Sequence, residues 1–199
     1  MQSISLSFLS SFFLAAVTAS SALAQGIVTC QPGTSGVITC PCGNAPSGLG
    51  RGCNNSLNTG GAMLTATGPG SNSLSSDSVQ LNCTGIGSST PSCSGISTSI
   101  LCILYEGTTA SATGVLWGDG VICTGGTFFV INVQTSNGGI YHFPLPGTTG
   151  LSQAAIAAGD PLVVGSTRDY FVAYRDACPS FCTPSLRQKS NSYQITWGP

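Results

Sequence analysis

Charge is what this sequence has least of. Asp, Glu, Lys and Arg make up 6% of the 199 residues, for a net charge of −1, which excludes a basic groove for nucleic acid and a polybasic membrane patch. Histidine occurs once, as His142. There is no G-x-S-x-G elbow and no C-x-x-C, so neither an esterase-like nucleophile nor a thioredoxin-like site is signalled. Sustained helical periodicity is missing too, which excludes helical bundles and α/β folds. Past the N-terminus the longest apolar run, residues 100–105, and others such as 128–131 have strand length and are too short to span a bilayer as helices. Disorder is excluded in turn by an apolar content of 41%. An ordered domain with an uncharged surface of Ser, Thr, Asn and Gly is expected.

What is present begins with a leader. Residues 8–17 (FLSSFFLAAV) are apolar and are followed by Ala22, Leu23 and Ala24, a pattern that fits the small-residue subsites of a signal peptidase. The first cation is Arg51, so the segment ahead of the apolar stretch lacks the usual positive charge. Cleavage after Ala24 is expected. That division gives a signal peptide at 1–24, a Cys/Gly-rich segment at 25–60 and a β domain at 61–199, in a secreted or cell-surface protein.

The ten cysteines, Cys30, Cys40, Cys42, Cys53, Cys83, Cys93, Cys102, Cys123, Cys178 and Cys182, all follow the leader. Export makes disulfides their expected state. Cys40-Pro41-Cys42 is C-x-C, which does not match a zinc knuckle, so no metal and no cofactor is expected. Cys40 and Cys42 are also too close to pair with each other. The first four cysteines are expected to close a local knot. Cys83 and Cys93 are expected to staple the Gly/Ser/Pro stretch between them. Cys102, Cys123, Cys178 and Cys182 would then tie core strands to the tip of the last hairpin.

From Gly61 onward, period-two alternation recurs. Val79, Leu81 and Cys83 alternate with polar residues, and so do Tyr193, Ile195 and Trp197, each set placing one face on a core. Residues 100–105, 127–133 and 170–174 are apolar on both faces or nearly so, as in central strands. Gly118-Asp119-Gly120 predicts a hairpin, and Ser136-Asn137-Gly138-Gly139 predicts a second. A three-residue loop ending at Gly139 is preferred there, because it buries Tyr141 and Phe143 and exposes His142. Residues 151–158 are the one candidate for a helical turn. The expected fold is all-β: a disulfide-stapled β-sandwich, Ig-like or jelly-roll-like.

Candidate chemistry is thin. A glycosidase needs two facing carboxylates, and only Glu106 and Asp119 fall near the ends of neighbouring core strands, where both read as turn residues. His142 reads as a surface or edge histidine. Arg168 and Arg175 are expected to pair locally with Asp169 and Asp176. Among the aromatics Trp117, beside a Gly-rich turn, is the candidate for exposure, and the others read as core. Trp117, Asp119, Glu106 and His142 are thus the candidate binding residues.

Several blocks occur in order: Cys40-Pro41-Cys42-Gly43-Asn44, Gly52-Cys53-Asn54-Asn55-Ser56, Gly114-Val115-Leu116-Trp117-Gly118-Asp119-Gly120-Val121 and Asp169-Tyr170-Phe171-Val172-Ala173-Tyr174-Arg175-Asp176. Together they resemble a large family of uncharacterised secreted bacterial proteins with a CPCGN/GC block and a GDG-hairpin β domain. The resemblance implies a secreted or surface role and carries no catalytic residues. The expected function is a structural or binding module for a glycan or an extracellular protein. The alternatives are a hydrolase using Glu106 or Asp119, with or without His142, and a cysteine-rich inhibitor or effector presenting residues 84–92.

Overall fold

A computed structural model of the chain describes residues 26–67, 72–87, 99–176, 178, 181–182 and 185–199. The expected signal peptide, Cys93 and most of the 84–92 loop lie outside the described residues. The elements are β1 (Ile27–Val28), β2 (Met63–Thr67), β3 (Gln80–Thr84), β4 (Leu101–Trp117), β5 (Gly120–Thr135), β6 (Tyr141–Phe143), α1 (Leu151–Ala157), β7 (Thr167–Arg175), β8 (Arg187–Lys189) and β9 (Tyr193–Thr196). They form two antiparallel sheets. The large one runs β1-β9-β7-β4-β5, with β8 also on β7, and the small one runs β2-β3-β6.

Alternation explains how the sheets meet. Leu64, Ala66, Leu81, Cys83, Tyr141 and Phe143 point inward from the small sheet. Cys102, Leu104, Tyr170, Val172, Tyr174, Ile195 and Trp197 meet them from the large one. All are buried, so the all-β, disulfide-stapled sandwich is as expected. The helical turn at 151 is also present. Its first amides are capped from a distance, Ser152 N donating to Asp77 Oδ2 at 2.7 Å.

Three expectations need correction. First, β5 is an edge strand, and Phe128, Val130 and Val133 on it are exposed. Second, residues 128–143 are not a hairpin within one sheet. Asn137 and Ile140 make an isolated bridge, after which β6 crosses to pair with β3 through Leu81–Phe143 and Cys83–Tyr141. Tyr141 and Phe143 are still buried and His142 exposed. The inward faces therefore followed the pleat although the neighbouring strand did not.

Third, the cysteines pair across the molecule. Disulfides join Cys30 to Cys123, Cys40 to Cys53 and Cys42 to Cys182, and Cys178 is disulfide-bonded too. Of these three pairs, only Cys40–Cys53 is local. Cys83 and Cys102 are free thiols buried in the core, so neither staples a loop or ties a strand to the last hairpin. Burial pushes both thiols up, Cys102 to about 12.

The β4–β5 hairpin is long and irregular. Register shifts at Leu104/Tyr105, Gly107/Thr109 and Ala110/Val115 interrupt its ladder, and such bulges bend and twist a ribbon. At Gly107 a Cβ would stand 2.6 Å from Gly125 O, so glycine permits the close approach. The tip folds back over the outer face of the large sheet. There Asp119 N donates to Arg187 O at 2.9 Å, while Asp119 O accepts from Asn44 Nδ2 at 3.1 Å and from Gln188 Nε2 at 3.2 Å. The turn itself is two residues, Gly118 and Asp119, with Trp117 opposite Gly120. Its positive φ of 64° falls on Gly118, the first turn position, where a II′ turn needs glycine.

Candidate functional site

The folded-back tip creates a groove. On β4 and β7, odd-numbered residues face outward: Tyr105 from β4, and Phe171 and Ala173 from β7, join Trp117 and Ile122 in a small apolar cluster of their own. Tyr105 stacks on Phe171 at 5.2 Å between centroids, and Trp117 meets both edge-on at 5.3 and 5.4 Å. Beside these rings lies a cavity of about 290 Å³, floored by Leu101, Ile103 and Ala173 and bounded by Trp117, Arg175 and Arg187. That volume is near the lower end for small-ligand sites.

Charge gathers under the same tip. Lys189 is fully buried, donates from Nζ to Arg187 O at 2.7 Å and sits 5.1 Å from the centre of the Trp117 ring, a cation–π distance. Burial lowers it to about 7, against the opposing pull of Asp119. Asp119 is buried as well, and its Oδ1 has no hydrogen-bond partner. Burial raises its carboxyl, opposed by Ser185 and Lys189. The contact between turn and strand is tight: a Cβ on Gly118 would lie 2.6 Å from both Arg187 O and Ser185 Oγ, and 2.8 Å from Lys189 Nζ.

Of the sequence candidates, the fold brings together Trp117 and Asp119 and separates the other two. Glu106 is not at a strand end. It lies in the middle of β4, fully buried on the core-facing side. Arg168 Nε stands 3.8 Å from its Oε1, and Arg168 forks onto Asp160 at 2.7 Å through both Nε and Nη2. Burial first, then the Asp160 carboxyl, push Glu106 up to about 8. Burial works against Asp160 as well, yet the Arg168 fork holds it below the usual carboxylate range. Glu106 and Asp119 therefore occupy opposite faces of one sheet and do not face each other. His142 is exposed on β6, its Nδ1 hydrogen-bonded to Asn82 Oδ1.

The expected local ion pairs of β7 do not form. Arg168 turns to Asp160, Asp169 accepts from Thr29 and Gln194, and Asp176 accepts from Ser56. Sequence reasoning also missed Tyr105, Arg175, Arg187 and Lys189 as groove residues. One signal was available: in a chain with five cations, Arg175, Arg187 and Lys189 fall close together near the C-terminus. No family model, curated protein or solved structure matches the chain.

Proposed function

We propose that the protein is an exported, non-catalytic binding module whose ligand, a glycan, lies in the groove beside Trp117. The observation that carries this reading is the aromatic wall of Trp117 and Tyr105 along an apolar cavity on the outer face of the sheet. Sugars stack their apolar ring faces on such side chains, and the best binding sites combine aromatic walls with a few placed polar groups. The expected leader and the cross-linked scaffold support export. Among the described residues, no helix is long and apolar enough to cross a membrane.

Trp117 offers a direct readout. Trp197, the other tryptophan, is fully buried and donates to Tyr170 OH at 3.2 Å, so a ligand-induced change in fluorescence reports the groove. A glycan array is expected to yield hits whose binding shifts tryptophan emission and is lost, by tenfold or more, in Trp117→Ala. An unbiased array and a cell-surface pull-down that are both blank would remove the binding function.

A further inference from the structure

The groove has a charged end that stacking alone does not explain. Arg175 on β7 and Arg187 on β8 are direct cross-strand partners, so their side chains leave the sheet on the same face. Like charges placed this way repel. Neither is neutralised: among the described residues the ion pairs are those of Arg168 with Glu106 and Asp160. Both arginines are exposed, and both line the cavity that Trp117 bounds. With the buried Lys189 two positions along β8, three of the five cations in the whole chain lie on this one face of the sheet. Among the described residues the Asp119 carboxyl makes no ion pair with either arginine, and its electrostatic partners are Ser185, Asp176 and Lys189.

We infer that the groove takes an acidic glycan, whose carboxylate or sulfate oxygens sit between Arg175 and Arg187 while a sugar ring lies against Trp117. This rests on the groove being the ligand site. A guanidinium presents paired N–H donors that match the oxygens of a carboxylate or sulfate, and two facing guanidiniums hold one anion from both sides. A bound anion removes the repulsion between them, so the ligand supplies the charge that the chain leaves out. Placing the pair beside an aromatic wall makes the site selective for a molecule that is anionic at one point and flat and weakly polar next to it. An acidic sugar has both features.

The test is calorimetric titration of the intact protein with four probes: oligogalacturonate, dextran sulfate, neutral dextran and poly-glutamate. Arg175→Gln and Arg187→Gln are each expected to weaken binding of an acidic glycan about tenfold, and the double variant to bring it down to the level of neutral dextran. Binding is expected to fall with added salt. A preference for oligogalacturonate assigns a carboxylate, and a preference for dextran sulfate assigns a sulfate ester. Either supports the inference. Neutral dextran bound as tightly as the acidic probes, with the double variant unchanged, overturns the anion site and leaves the glycan groove standing. Poly-glutamate bound more tightly than either acidic glycan, and insensitive to Trp117→Ala, overturns it in favour of an acidic protein partner. No binding of any probe, with a blank glycan array, takes the groove reading down as well. Circular dichroism and Tm of the variants separate lost binding from lost fold.

Discussion

The two faces of the large sheet treat a buried charge in different ways. On the inner face Glu106 is shut into the sandwich core, with Arg168 and Asp160 as its charged neighbours. On the outer face Lys189 is equally buried, but under a hairpin tip, next to two exposed arginines and an open groove. Burial moves both toward their neutral forms, Glu106 up to about 8 and Lys189 down to about 7. On the inner face one guanidinium serves two carboxylates: it forks onto Asp160 and stands 3.8 Å from Glu106, whose two buried oxygens have no hydrogen-bond partner among the described residues. The outer one is left with unpaired positive charge.

The tryptophans break this comparison most directly. Trp197 is packed in the main core, and Trp197→Ala is expected to cost about 3–5 kcal/mol of stability. Trp117→Ala is expected to cost clearly less, about 1–2 kcal/mol, while removing ligand binding. Urea titrations of both variants check this, and equal losses would dissolve the distinction between the faces. Next in size is Arg168→Gln, which leaves Asp160 and Glu106 buried without their cation and is expected to cost about 3 kcal/mol in the same measurement.

The two buried groups also give opposite pH slopes. Glu106 titrates near 4.5 when unfolded and about 8 when folded. In that window the folded state holds the extra proton, so its contribution to stability falls as pH rises. Lys189 titrates at 10.5 unfolded and about 7 folded. There the unfolded chain holds the extra proton, and stability rises with pH. Urea midpoints followed across about pH 5–10 are expected to lose the falling limb in Glu106→Gln and the rising limb in Lys189→Met.

Smaller effects sharpen the picture. Cys83 and Cys102, buried on the inner side, are expected to resist iodoacetamide in the native protein and to react once it is unfolded, as mass spectrometry would show. Relieving the cross-strand repulsion by Arg175→Gln is expected to raise Tm slightly, by about 1–2 °C, even as it weakens binding.

Much of the inner face was legible. Val79, Leu81 and Cys83, and Tyr193, Ile195 and Trp197, alternate with polar residues and all are buried. Less of the β8–β9 segment was. Residues 188–192 (QKSNS) are all polar, yet each is fully buried. Asn191 supplies its amide to the Leu64 backbone, accepting from N at 2.6 Å and donating to O at 3.0 Å. Ser190 does the same for β7, accepting from Val172 N at 3.0 Å where β8 and β9 part. Polar composition cannot distinguish a residue facing water from one replacing water for a buried backbone.

By itself the sequence determined the all-β class, the GDG turn, the exposure of His142 and the inward sets of β3, β6 and β9. These depend on residues a few positions apart, where pleat and turn geometry act locally. Tertiary structure alone decided that β6 changes sheets, that Cys42 reaches Cys182 across a separation of 140 residues, and that Arg175 and Arg187 flank a groove under Trp117. Those depend on which distant strands become neighbours and on a bent hairpin closing over them. Alternation says which side of a strand is buried, and only the packed chain says what lies on the other side.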